Sequence, residues 1–266
     1  MEPILVYGYP SGSSMGLVAT LEWLGKSYKL SRVDMLGEMQ QPAYKRLNPR
    51  VETPVFITDE GKVLTESMAI ALWLASRDTE RRVSFDPLSQ DADRMHQLMA
   101  FVNTGLTGAF GPLWAAFEMQ GDNPAQKTFL RQLGTETVIE RHDRLEEMIG
   151  DTPYLIGDFP TLADGFLIGI ARWLDFHKVA DFDRWPKLAA VRWRLEENPA
   201  VQFATALEKM RVRAYSPSEV GPFHKLCLEA AELCGWHMAE DLCDLDANAS
   251  FGIETVNIVD RVRWNT

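Results

Sequence analysis

A chain of 266 residues, 46% hydrophobic and 24% charged, has the length and composition of one large or two smaller globular cores, which excludes a disordered or fibrous protein. Its formal charge of -11 and pI near 5.0 exclude a protein that wraps nucleic acid or docks on an anionic membrane, since both need clustered Lys and Arg. No basic, apolar leader precedes the first strand-like run at Pro3 and no apolar stretch approaches the roughly 20 residues of a bilayer span, so the expected location is the cytoplasm and the expected partner a small molecule.

The chain opens with alternating elements. A strand is predicted over residues 4–7, then a helix over 14–24 that carries Leu17, Leu21 and Leu24 on one stripe and ends at Gly25 as a left-handed cap. A second strand, 28–33, leads into a polar loop containing Pro42, Asn48 and Pro49. Residues 54–58 and 62–64 flank Asp59, Glu60 and Gly61 as a hairpin, and a helix over 67–75 closes the unit. Strand, helix, strand, hairpin and helix in about eighty residues make a small mixed sheet covered by helices. Residues 76–89 are charged and aperiodic, as a linker is. Beyond them only helical patterns follow, at 90–119, 124–149, 162–176, 186–197 and 200–212. The expected domains are therefore 1–78, an α/β unit; 79–89, a linker; 90–215, all helical; and 216–266, a C-terminal extension.

All three cysteines, Cys227, Cys234 and Cys243, lie in that extension, so thiol chemistry in the first 226 residues must be imported with a ligand. Disulfides are not expected. His224 and His237 beside these cysteines do not make a standard zinc spacing, and the surrounding Leu226, Leu228, Leu233 and Trp236 read as a helix packed on the protein; no metal is expected.

Three runs, NPRVETPVF (48–56), TESMAIALWLA (65–75) and GDFPTLADGFL (157–167), each fall at an expected element boundary. In order and spacing, over residues 1 to about 210, the chain resembles the cytosolic glutathione transferases, and within them the serine-type, bacterial-like members. The resemblance implies an α/β thioredoxin-like N-terminal domain followed by an all-α helical domain, a homodimer, glutathione as co-substrate and a detoxifying transferase activity on an apolar or aromatic electrophile. Glutathione-dependent isomerisation or peroxide reduction, or a non-catalytic glutathione-binding or scaffold role on the same fold, are the alternatives. It implies a cis Pro54, with the backbone of Thr53 pairing with the cysteinyl part of glutathione beside Arg50. It also implies that Glu66 and Ser67 grip the γ-glutamyl end. The residues allow this independently: a helix N-terminus capped by Ser67 offers unpaired N–H groups to a carboxylate, and Glu66 suits an ammonium.

The thiol-activating group is expected between the first strand and first helix, where the chain reads YPSGSSMGL (9–17) and has no cysteine, so mixed-disulfide chemistry is excluded there. One donated hydrogen bond plus a helix dipole is enough to favour thiolate over thiol. Ser13 falls on the catalytic position by alignment, with Ser14 and Tyr9 as the alternatives; the same serines also suit turn and cap roles. In the second domain Thr161 and Asp164 match a buried capping box with a structural role. Phe110, Leu113, Trp114 and Phe117 recur at helical spacing as core or as the wall of a pocket for an aromatic or apolar substrate. Thr104 and Thr107 are possible polar contacts nearby.

Overall fold

The computed structural model describes residues 2–9, 12–121, 123–209 and 214–215. By contacts they divide into two compact units: residues up to Ile70 together with the described residues from Gln202 onward, and Ala71–Val201.

The first unit is built on β1 (Ile4–Tyr9), α1 (Met15–Leu24), β2 (Lys29–Asp34), α2 (Pro42–Leu47), β3 (Val55–Ile57), β4 (Val63–Thr65) and the start of α3 (Ser67–Arg77). The strands form a mixed sheet in the order β4-β3-β1-β2, extended at the β2 edge by the two-residue β5 (Ala214–Tyr215). β1 runs parallel to β2, with Val6 beside Ser31, and antiparallel to β3, with Val6 beside Val55. The other pairs, β3 with β4 and β2 with β5, are antiparallel. The expected helix stripe is buried: Leu17, Leu21 and Leu24 are each at most 5% exposed, and Gly25 caps α1 with φ 68. A left-handed cap of this kind is where a residue without Cβ costs least. Val6, Val33, Met39, Tyr44 and Val55 form a small core under the loop that follows β2.

That loop departs from expectation. Read as irregular, it holds a 3₁₀ turn (Glu38–Gln40) and α2, with Pro42 in the first turn of the helix, where a missing N–H does no harm. The far end of the chain departs too. α10 (Pro199–Lys209) buries Phe203, Ala204 and Leu207, and Thr205 reaches Met15 of α1 at 3.8 Å, so this helix joins the sheet unit by its contacts.

The second unit is helical. α4 (Gln90–Ala100), a π-helical stretch (Phe101–Leu106), α5 (Thr107–Ala109) and α6 (Gly111–Glu118) replace the single helix expected over 90–119. Glycines at 105, 108 and 111 weaken the regular helix, and the Thr107 hydroxyl donates to the Val102 carbonyl five residues back, which holds the wide turn. α7 (Pro124–Met148) crosses α6 closely because Gly134 has no side chain: a Cβ there would lie 2.7 Å from Leu113 Cγ. α8 (Leu162–His177) is largely buried, and α9 (Pro186–Glu196) packs on it and on α7. The segment expected to be a loose linker is ordered around buried Asp78, whose carboxylate accepts from the N–H groups of Arg82 and Val83 (2.9 Å each) and from the Ser84 hydroxyl (2.8 Å). No helix among the described residues is long and apolar enough to cross a membrane.

Candidate active site

The loop between α2 and β3 is fixed by one carbonyl. Tyr44 Oη (2.6 Å) and Asn48 Nδ2 (2.9 Å) both donate to the Glu52 oxygen, and Asn48 Oδ1 accepts the Arg50 N–H at 3.1 Å. Burial, helped by the nearby Glu52 charge, pushes the Tyr44 phenol up to about 12, so it stays a neutral donor. These two residues were not anticipated from sequence. Asn48 is visible in its run, but its buried side chain takes meaning only from the fold, and Tyr44 lies in the helix where the sequence suggests a loop.

The clamp sets the next residues. Val51 is left-handed (φ 59), and the Thr53–Pro54 peptide is cis, as the resemblance implied. Pro54 is buried and Thr53 half-buried at the start of β3. Arg50 then spans the surface between two carboxylates, with Glu52 at 3.3 Å from Nε and Glu66 paired with Nη2. Glu66, exposed, has φ 71. Its carbonyl accepts the Ile70 N–H at 3.1 Å, so Glu66 itself occupies the cap position of α3 and Ser67 is the first helical residue, not the cap expected of it. The cause is the left-handed backbone at Glu66, an uncommon conformation for a residue with a Cβ and one found often at binding sites.

At the same end of β1, beside Thr53, a second group assembles. Ser14 is 1% exposed and stands at the cap position of α1, yet its hydroxyl does not cap the helix. It accepts the Gly8 N–H of β1 at 3.2 Å, which leaves its own proton to donate. Around Gly12, a Cβ would find Ser14 Oγ at 3.6 Å, Met35 Sδ at 3.7 Å and Thr53 Oγ1 at 3.8 Å; at Gly8 it would collide with Met35 Sδ and stand 2.8 Å from Thr53 Oγ1. The two glycines thus sit in a small cradle of two hydroxyls and one thioether beside the cis proline, and at Gly8 the missing Cβ is what lets the thioether come so close. Ser13 is half-exposed one residue before, and the Tyr9 side chain lies outside the described residues.

The aromatic stripe divides. Phe110 and Leu113 are 1% and 0% exposed and serve the core of the second unit, so only half-buried Trp114 and exposed Phe117 reach solvent. Trp114 stacks on Phe176 (5.3 Å), and Phe117 meets Phe176 edge-on at 5.2 Å. Thr107 is occupied by Val102, whereas Thr104 lines an open groove of about 750 Å³ with Phe101, Gly108 and Arg141. Thr161 and Asp164 form the expected capping box at 0% exposure: Asp164 Oδ2 accepts from the Thr161 N–H and hydroxyl at 2.8 Å each, and Oδ1 from the Leu155 N–H at 2.9 Å. The cysteines and histidines of the extension lie outside the described residues.

The glutathione S-transferase N-terminal domain profile matches residues 11–77, and the C-terminal domain profile matches 121–199. A maleylacetoacetate isomerase of Pseudomonas aeruginosa is 30% identical over 210 residues, covering 74% of this chain and 92% of its own. The chain belongs to the glutathione S-transferase family. Glutathione S-transferase GstA of Escherichia coli O157:H7 is 24% identical over 204 residues, covering 76% of this chain and 97% of its own. The structure of a sphingomonad glutathione S-transferase complexed with glutathione shares the fold, with a TM-score of 0.67 at 22% identity over 78% of this chain and 99% of its own. The protein is thus a glutathione transferase, with the family's thioredoxin-like and helical parts and glutathione as co-substrate.

Proposed function

We propose that this transferase conjugates the glutathione thiolate to an apolar or aromatic electrophile, as a cytoplasmic, detoxifying homodimer. The observation that carries the reading is the convergence of Ser14 Oγ and Thr53 Oγ1 around Gly12, beside the cis Pro54. In this reading the backbone of Thr53, ahead of Pro54, pairs with the cysteinyl part of the ligand. Ser67 and the first N–H groups of α3 take the γ-glutamyl carboxylate, Glu66 takes its ammonium, and Arg50 is released from Glu66 toward the ligand. The thiol is brought to a hydroxyl at the start of α1, where a donated hydrogen bond and the helix dipole stabilise the thiolate. Each pKa unit of depression is about 1.4 kcal/mol of preference for the charged form. Trp114 and Phe117 supply apolar surface for the electrophile, and holding both reactants in place supplies much of the rate.

The test is the ultraviolet absorbance of bound glutathione across pH in Ser13→Ala, Ser14→Ala and Tyr9→Phe. The reading expects the thiol pKa to rise in the variant that loses the donor, with Ser13 first by alignment. If none of the three shifts it, activation by a hydroxyl between β1 and α1 fails.

A second reading, glutathione-dependent isomerisation, is favoured by the isomerase relative in Pseudomonas aeruginosa. Product analysis separates the two: conjugation leaves a thioether and consumes glutathione, whereas isomerisation regenerates it.

A further inference from the structure

Met35 follows β2 directly; its sulfur lies where a Cβ on Gly8 would be, with Thr53 Oγ1 against the same position, and it borders Gly12 together with Ser14 Oγ and Thr53 Oγ1. Its neighbours in the fold are unlike it. Met15 and Met39 are 5% and 4% exposed, whereas Met35 is only half-buried. A thioether in this place is neutral, soft and a weak acceptor, so it fills the wall of the cradle without claiming the hydroxyl protons.

We infer that Met35 is an oxidation site that switches off glutathione use, because its sulfoxide captures the hydroxyl donors of the cradle. A hydroperoxide supplies the oxidant: the sulfur lone pair attacks the terminal peroxide oxygen, the O–O bond breaks as the S–O bond forms, sulfur loses two electrons, and the departing alkoxide or hydroxide takes the proton to leave as alcohol or water. The product turns a weak acceptor into a strong, polar one. Ser14 Oγ and Thr53 Oγ1 both stand around the point that Met35 Sδ borders, and each carries one proton. A hydroxyl donating to the sulfoxide oxygen no longer donates to a ligand sulfur. The added oxygen also has to fit where Met35 Sδ is already packed against Gly8. Substitution of methionine by leucine preserves volume and removes the chemistry.

This inference rests on the proposal that glutathione's sulfur is bound at the cradle, and its test separates the two. Full-length wild type and Met35→Leu are treated with hydrogen peroxide, freed of it, and assayed for kcat and for KM toward glutathione. Peptide mass spectrometry follows oxygen uptake at Met35. The wild type should show KM rising about tenfold in step with Met35 sulfoxide, the size expected when one charge-assisted hydrogen bond is lost. Methionine sulfoxide reductase should reverse the change where a simple thiol reductant, which repairs cysteine oxidation, does not. KM of Met35→Leu, whatever its starting value, should not respond to peroxide. Sulfoxide at Met35 with unchanged KM, or equal sensitivity in Met35→Leu, overturns the inference while leaving glutathione binding in place. If the untreated wild type does not bind glutathione, both fall together.

Discussion

Two helices of this chain begin with a hydroxyl and a carboxylate close together, and they use them in opposite ways. At α8, Thr161 and Asp164 turn toward each other, exclude water and satisfy three donors with one carboxylate. At α3, Glu66 and Ser67 stay at the surface: Glu66 adopts a left-handed backbone, reaches sideways to Arg50 and leaves the first turn of the helix accessible. A helix start closed by its own side chains is a structural joint. One left open at some conformational cost keeps unpaired N–H groups within reach of a ligand, the role proposed for α3.

The contrast breaks if Asp164 proves dispensable. Asp164→Ala strands the Leu155 N–H, the Thr161 N–H and the Thr161 hydroxyl in a dry interior, and should cost about 3–5 kcal/mol in denaturant unfolding, with glutathione KM unchanged in whatever folds.

A second closed group in the helical unit gives a pH test. His142 is 2% exposed, stacks on Trp185 at 4.6 Å and meets the Val138 carbonyl through Nδ1 at 2.8 Å; burial lowers its pKa to about 4. A base depressed in the folded state binds fewer protons there than when unfolded, so stability is present above about 6.5 and is lost as pH falls from there through about 4. The full loss is about 3 kcal/mol. Asp164 acts with the other sign: burial raises it to about 6, so its contribution is lost as pH rises from 3.8 through that value. The measurement is therefore the difference in unfolding free energy between wild type and His142→Phe across pH 4–7. A difference independent of pH removes the histidine from the account.

The open helix start makes a gentler prediction of the reverse pattern. Glu66→Gly suits φ 71 and should leave stability the same or raise it by up to about 1 kcal/mol, while glutathione KM rises about tenfold with little change in kcat. Ser67→Ala should show the same kinetic split. The smallest effect belongs to the clamp: Tyr44→Phe leaves Asn48 as the Glu52 carbonyl's remaining side-chain donor of the pair, and should cost about 1 kcal/mol and raise KM by about two- to threefold.

What could be read from the sequence follows the same divide. Long helices with buried stripes, such as α1 and α8, carry their period in the chain, and the capping box carries its spacing. α2 has six residues, too few for a period, and its proline resembles a loop signal as much as a helix start. The sequence points to Ser67 as the cap, because nothing in it announces that Glu66 turns left-handed. Tyr44, Asn48 and Met35 acquire their roles only when the chain folds β1, α2 and the Thr53 turn together. Phe110 and Trp114 share a stripe, yet burial gives one to the core and the other partly to solvent.

The pairing of Ala214 and Tyr215 with Ser31 and Leu30 bears on how the gene is trimmed for production. A stop codon placed after residue 215 keeps those two residues against β2. The same stop a few codons earlier removes them and uncovers a row of backbone donors and acceptors on a strand that pairs with β1 along its other side. Bare edges of this kind recruit neighbouring chains. Two shortened forms that differ by a handful of residues should therefore behave differently on a gel-filtration column, the shorter one drifting toward aggregates for reasons unrelated to its catalytic machinery.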